Sequence, residues 1–113
     1  MTGTLVTTFV AASLALAGTA AAQGTASPDG NALYQYWCAT CHGAGPGHPG
    51  TTALAAKYKG KVPGVLEERS DLTPQAVKLF VRRGTSIMPF FRKTEVSNTE
   101  LDAIADYLTR RKK

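Results

Sequence analysis

The segment Cys38-Ala39-Thr40-Cys41-His42 carries the residue types best suited to chemistry in this chain. Positions three apart on a helix share one face, so the two thiols can reach one porphyrin edge and form thioethers with its vinyl groups. The imidazole of His42 comes next in the chain and can bind the iron as the proximal ligand. The pattern therefore predicts one covalently attached haem c, held through Cys38 and Cys41.

Three other uses of the same residues compete with haem attachment. They are a disulfide between Cys38 and Cys41, a thioredoxin-like redox dithiol, and a zinc site that also draws on His48. A thioredoxin-like motif belongs in a βαβ context, which this sequence does not show, and a zinc site uses two well-separated ligand pairs. The chain has only these two cysteines, and a histidine adjoins the second, so haem attachment is favoured.

The second axial position of such a haem has three candidates: Met88, His48 or no side chain. Met88-Pro89 follows Gly84 within a few residues. This places the thioether in a loop whose backbone is restricted by the proline after Met88. Most methionines simply fill a core, and this is the alternative for Met88. His48 is tethered only six residues from His42, too short a connection to reach the opposite face of the ring. We therefore expect His42 and Met88 to be the iron ligands.

Caps and periodicity predict the helices that position these residues. A first helix is expected from Asn31 through the cysteines, and a short one at 52–58 follows the Gly/Pro-rich residues 43–50. Thr73-Pro74 begins a further helix that Gly84 ends. A capping box at 97–100 begins the last helix, with apolar residues at i, i+3, i+4 and i+7. No segment alternates as a strand does, so the fold class is all-α.

The amino-terminal residues 1–22 have the composition of a secretory signal peptide. They hold no charged side chain, although no Lys or Arg precedes the apolar run. That run, 5–17, is shorter than the roughly 20 residues that span a bilayer, and Ala20-Ala21-Ala22 suits a signal peptidase. We expect cleavage near Ala22, a flexible lead-in at 23–29, a folded domain at 30–113, and a periplasmic protein without a stable membrane anchor. An uncleaved anchor is the alternative.

Composition limits the protein to one small domain. Removal of the 22-residue leader leaves 91 of the 113 residues, and 43% hydrophobic with 19% charged residues lies in the globular range. A domain of this size often needs a cofactor, a metal or disulfides for stability. The net charge of +5 resides mostly in the four basic residues 110–113, so a nucleic-acid partner is not predicted.

Three separated motifs give the chain a resemblance to small class I cytochromes c from Gly30 to Leu108. They are the Cys-x-x-Cys-His segment, Gly84-x-x-x-Met88-Pro89 and Leu101-x-x-Ile104-x-x-Tyr107-Leu108. The resemblance implies three to five helices wrapped around one haem, with the first and last helices crossing. It also implies that Gly30 permits a close approach there and that Tyr34 meets Tyr107.

The same resemblance implies further haem contacts. The carbonyl of Pro46 or, in preference, Pro49 would accept a hydrogen bond from His42. Trp37, Tyr58 and Arg69 would lie near the haem propionates. The pocket walls would be Leu54, Phe80, Ile87 and Phe90.

With both axial positions filled, the haem has no open coordination site, and the expected function is electron transfer rather than catalysis. No second catalytic constellation accompanies the motif, and Glu67-Glu68 is interpreted as a solvated charge pair. The alternative is a ligand-binding haem sensor or peroxidase, which requires that Met88 does not bind.

A finer resemblance concerns the segments 57–74, 80–84 and 88–95. They look like the cytochrome subunits of p-cresol methylhydroxylase and eugenol hydroxylase, which oxidise para-alkylphenols. This implies a flavin-containing dehydrogenase as redox partner. A free soluble shuttle for other dehydrogenases or respiratory complexes is the alternative. Docking is expected around Ala39, Thr40, Ile87 and Phe90, with a basic rim of Arg82, Arg83, Arg92 and Lys93.

Overall fold

The computed structural model of the chain describes residues 1, 3 and 26–110. These residues form five α-helices and one short 3₁₀ helix: α1 (Gly30–Trp37), α2 (Ala39–His42), α3 (Pro49–Tyr58), the 3₁₀ helix Leu66–Glu68, α4 (Pro74–Arg83) and α5 (Asn98–Arg110). The described residues contain no β-strand, only an isolated bridge between Thr85 and Met88. The predicted all-α fold class is therefore confirmed.

Most of the predicted leader lies outside the described residues, as do residues 23–25 and 111–113. Cleavage near Ala22 and the boundaries of the lead-in therefore stay predictions. No helix in the described part of the chain has the length and apolar character needed to cross a membrane.

Polar side chains cap the starts of three helices. The Asp29 carboxylate accepts hydrogen bonds from the first amides of α1, at 2.9 and 3.3 Å. Thr73 Oγ1 accepts from the Ala76 amide at 3.2 Å, and Pro74 occupies the first helical position of α4. Ser97 and Glu100 exchange the two hydrogen bonds of a capping box at the start of α5, of 2.8 and 3.2 Å. These bonds satisfy amides that lack partners within the helix. The predicted starts of α4 and α5 are confirmed.

The haem-motif segment differs from its prediction, because the first helix does not run through both cysteines. It ends at Trp37, and α2 begins at Ala39. Between them, Cys38 has a φ of −116°, far from the helical value of about −63°, and this residue separates the two helices. The helix predicted at 52–58 begins earlier, at Pro49, because a proline is well accommodated in the first turn of a helix.

The core forms where α1 crosses α5 and where α4 packs on α5. Its buried hydrophobic residues are Tyr34, Val77, Val81, Val96, Leu101, Ile104, Ala105 and Leu108. At the crossing, a Cβ added to Gly30 would lie 2.1 Å from the Ala103 carbonyl oxygen. The Tyr34 ring packs against Tyr107 with 5.6 Å between ring centroids. The expected close approach at Gly30 and the contact between the two tyrosines are both confirmed.

The crossing predicts a large effect from a single methyl group. Gly30→Ala should lower the free energy of unfolding by about 2 kcal/mol, because the new Cβ must displace the backbone of α5. Urea denaturation of the purified protein measures the loss. Gln35→Ala, on an exposed position of the same helix, is the matched control and should change stability by less than about 0.5 kcal/mol. Equal stabilities of the two variants would contradict the close crossing.

Candidate functional site

A single helical turn brings the two cysteines and the neighbouring histidine together. The amides of Cys41 and His42 both donate to the Cys38 carbonyl, at 3.1 and 2.9 Å, and the Gly43 amide closes the turn on Ala39 at 2.7 Å. Both cysteines are free thiols in the structure. Cys38 packs against the core, whereas Cys41 is exposed. The turn thus presents two thiols and one imidazole within five residues, as covalent haem attachment requires.

The electrostatics of the site argue against a redox dithiol. Burial and, to a smaller extent, the nearby Cys41 raise the pKa of the Cys38 thiol to about 11. Redox-active thiols work with a lowered pKa, because the thiolate is the nucleophile. Cys38 is therefore protonated at neutral pH and poorly suited to a thioredoxin-like exchange.

The geometry does not assemble a zinc site either. Within residues 26–110, no three side chains of His, Cys, Asp or Glu are grouped so that they can hold a metal ion. The second histidine, His48, lies at the start of α3 with its Nδ1 only 3.0 Å from the Thr40 carbonyl oxygen. The His48 ring is therefore held beside the backbone of the segment that carries His42. Because the second axial ligand must approach the iron from the opposite face, this position favours Met88 over His48.

The His42 side chain is enclosed and keeps one nitrogen unpartnered. Its Nδ1 is buried without a hydrogen-bond partner. A Cβ added to Gly50 would lie 2.7 Å from His42 Cε1 and 2.9 Å from Nδ1, so the imidazole rests against the start of α3. Burial lowers the pKa of His42, and this favours the neutral imidazole that binds metals. The Tyr34 hydroxyl donates to the His42 carbonyl at 2.9 Å.

The hydrogen bond expected between His42 and a proline carbonyl is not formed, since His42 Nδ1 has no partner. Pro49 is the first residue of α3, and a carbonyl at that position points along the helix toward the amide four residues later. Pro46 lies between two glycines with positive φ in an exposed turn. The imidazole therefore contacts the backbone at Gly50, and this correction applies to both prolines.

A tight turn holds Met88. Thr85 and Met88 exchange two backbone hydrogen bonds of 3.1 and 2.9 Å. Gly84 enters this turn with a φ of +67°, and a Cβ on it would lie 2.6 Å from the Met88 carbonyl oxygen and 2.9 Å from the Phe90 amide. Met88 is partly buried against the same core cluster as Cys38. One core therefore supports both the cysteine turn, residues 38–42, and the methionine loop, residues 84–91. Met88 as an iron ligand stays a prediction.

The three residues expected near the propionates fall in two places. The Trp37 ring packs edge-on against Phe91, with 6.0 Å between centroids. The Arg69 guanidinium lies 4.8 Å from the centroid of Tyr58, and its Nε donates to the Asp71 carboxylate at 2.9 Å. Arg69 is only 7% exposed and Tyr58 is half-buried, so these two side chains form one cluster, whereas Trp37 packs on Phe91. Sequence analysis missed Asp71, although an acid two residues after an arginine signals such a pair.

Three of the four side chains expected to line the haem pocket are exposed to solvent. Phe80 is exposed, as are Ile87 at 75% and Phe90 at 60%, whereas Leu54 is half-buried. No residue of α3 is buried, and among the helices α3 packs chiefly on α2. Large exposed apolar side chains in a small protein mark a surface for a ligand or partner. Together with the thiols and the neutral imidazole, they fit a haem between the core helices and α3.

Two further expectations are corrected by polar contacts. The Arg82 side chain is not free to move on the rim, because its guanidinium donates to the Phe91 carbonyl and the Asn98 side chain, each at 3.0 Å. Glu67 is not simply a solvated charge, because its carboxylate accepts a hydrogen bond from the Tyr107 hydroxyl. The bonds from Arg82 to Asn98 and from Tyr107 to Glu67 join residues 16 and 40 positions apart in the chain, which residue spacing does not reveal.

Comparison with known families supports a haem site at the cysteine turn. A family model described as "Cytochrome C oxidase, cbb3-type, subunit III" matches residues 25–108, which is most of the chain. No curated protein matches this chain significantly. The matched residues include the cysteine turn, the methionine loop and nearly all of α5.

The Met88 turn generates a prediction with a matched glycine control. Gly84 and Gly60 both have positive φ, but an added Cβ meets the methionine loop at Gly84 and nothing within 4 Å at Gly60. Gly60→Ala should therefore cost only the strain of the left-handed region, about 1 kcal/mol. Gly84→Ala should cost more, because its Cβ would also meet the backbone of Met88 and Phe90. Urea denaturation measures both losses, and equal losses for the two variants would contradict this close contact.

Proposed function

Because the chain belongs to the c-type cytochrome family whose model is named for subunit III of the cbb3-type oxidase, we propose that it is an exported single-haem electron carrier. As a member of that family it is a haem protein of electron transfer. The finer proposal is that Cys38 and Cys41 hold the haem and that His42 and Met88 bind its iron. Its electrons would come one at a time from a flavin-containing dehydrogenase.

The observation that carries this proposal is the shared support of the two ligand segments. The cysteine turn and the Met88 turn both pack against the core formed by α1, α4 and α5. A haem bound there supplies a one-electron couple, and a thioether ligand favours its reduced state. The chain itself orients the imidazole against Gly50 and sets the methionine by the Thr85 hydrogen bonds.

The apolar side chains beside Met88 support a docking function. Ile87 and Phe90 are exposed. Three exposed basic residues lie within four positions of one of them in the sequence: Arg83, Arg92 and Lys93. Arg92 also pairs with Glu95, at 3.5 Å. An apolar centre with a basic rim suits an acidic redox partner that approaches this edge of the domain.

The proposed partner rests on sequence resemblance, and the proposed location rests on the composition of residues 1–22. The segments 57–74, 80–84 and 88–95 support a flavin-containing hydroxylase or dehydrogenase of the para-alkylphenol type, and residues 1–22 support export to the periplasm. The family name associates this domain with a cytochrome c oxidase, so an oxidase is a candidate acceptor of the electrons. A free shuttle that serves several dehydrogenases is the second candidate.

An absorption spectrum of the periplasmically expressed protein tests the core of the proposal. The reduced protein should show a c-type spectrum that carbon monoxide does not change, because both axial positions are filled. The oxidised protein should show the weak sulfur-to-iron band in the far red. Met88→Ala should abolish this band and admit carbon monoxide, whereas the control His48→Ala should do neither. Carbon monoxide binding by the unsubstituted protein would favour a sensor or peroxidase.

Charge reversal tests the docking surface. The double variant Arg83→Glu and Lys93→Glu should slow association with an acidic partner about tenfold at low salt and much less at 0.5 M salt, because screening removes steering. Stopped-flow oxidation of the partner's reduced flavin measures the rate. Arg110→Glu lies about 18 Å along α5 from its start and is the control. An effect that does not depend on salt would contradict this assignment.

A further inference from the structure

We propose that Arg82 is a positioning residue. Its side chain holds the end of the methionine loop, residues 84–91, against α4 and α5. By holding the exit of this loop, Arg82 would set how firmly Met88 stays on the iron. The proposal rests on Met88 ligation as proposed above, and it adds a residue outside the predicted ligand set.

The exit of the loop is held by two neighbouring residues of α4. The Phe91 amide donates to the Val81 carbonyl at 2.8 Å. Arg82 Nη1 donates to the Phe91 carbonyl at 3.0 Å, so both backbone groups of Phe91 are bound. Val81 is buried and Phe91 packs against the core, which shields the bond between them from competing water, and the bond from Arg82 to Phe91 is part-buried. A hydrogen bond from a charged donor is stronger than a neutral one.

The same guanidinium reaches the last helix. Arg82 Nη2 donates to Asn98 Oδ1 at 3.0 Å, and Asn98 is the first residue of α5. Arg82 therefore ties three segments together: the end of α4, the end of the methionine loop and the start of α5. A lysine at this position carries one point-like ammonium group and lacks the planar fork that serves both acceptors.

The entry of the loop is fixed by the same turn of α4. The Gly84 amide donates to the Phe80 carbonyl at 2.8 Å, and Thr85 then bonds Met88. Met88 thus lies between two attachment points that are both on the last turn of α4. Movement of Met88 away from the iron requires the loop to open. The start of the loop is held by backbone hydrogen bonds alone, whereas its end at Phe91 is also held by the Arg82 side chain. Loss of Arg82 should therefore raise the population of the open loop.

Arg83 provides a matched control one residue away. It has the same charge and also lies in the last turn of α4, but its side chain is exposed and makes none of the side-chain hydrogen bonds or ion pairs found among residues 26–110. A general effect of losing a positive charge at the end of α4 would be equal for Arg82→Gln and Arg83→Gln. An effect of the loop contacts would appear only for Arg82→Gln.

Imidazole binding to the oxidised protein measures loop opening, because added imidazole binds iron only where Met88 has left. We expect Arg82→Gln to bind imidazole about tenfold more tightly, as befits the loss of a charged hydrogen bond. Arg83→Gln should stay within about twofold of the unsubstituted protein. Asn98→Ala removes one of the two Arg82 contacts and should give a smaller gain of about threefold. Equal affinities for Arg82→Gln and Arg83→Gln would overturn the proposal.

Amide hydrogen exchange provides a readout that does not depend on ligation. In Arg82→Gln the amides of Met88 and Phe91 should exchange faster, whereas the Ile104 amide in the core of α5 should not change. Loss of protection throughout α5 would overturn the proposal in favour of a general structural role. If Arg82→Gln does not fold, Asn98→Ala decides by the same two measurements. Absence of the far-red band in the unsubstituted protein would refute Met88 ligation, and the exchange data would then still test the loop contact.

Discussion

The contact between the backbones of α1 and α5 is the constraint on which the rest of the structure depends. Gly30 has no side chain, so α1 approaches the Ala103 carbonyl more closely than any Cβ would allow. This approach buries Tyr34 against Tyr107, and the Tyr34 hydroxyl then reaches the carbonyl of His42. The helix crossing therefore fixes not only the core but also the turn that carries the cysteines and the histidine.

Outside the core at this crossing, the described residues form no second cluster of buried hydrophobic side chains. The helix α3 buries none of its residues and packs chiefly on α2, and the apolar side chains of Phe80, Ile87 and Phe90 face outward. A chain this short gains little stability from its own core, and a covalently attached cofactor supplies additional contacts. Cofactor and fold are thus coupled, since the haem that the motif implies would also be what α3 packs against.

Features decided by neighbouring residues could be predicted from the sequence, whereas contacts between distant residues could not. The Thr73 cap, the Ser97 and Glu100 capping box and the glycine at the end of α4 each depend on a few consecutive positions. The glycine at the helix crossing came from the family resemblance. The break at Cys38 and the missing proline hydrogen bond depend on how α2 and α3 pack, which the Cys-x-x-Cys-His pattern does not encode.

Arg82 and Arg83 illustrate a difference that the sequence does not predict. The sequence places both in a basic rim, because they have the same charge and follow one another. Consecutive helix residues point about 100° apart, so the two lie on opposite flanks of the face that Val77 and Val81 bury. On one flank are the start of α5 and the end of the methionine loop, and on the other is solvent. Identical residue types therefore acquire different roles through the partner that the fold brings to each flank.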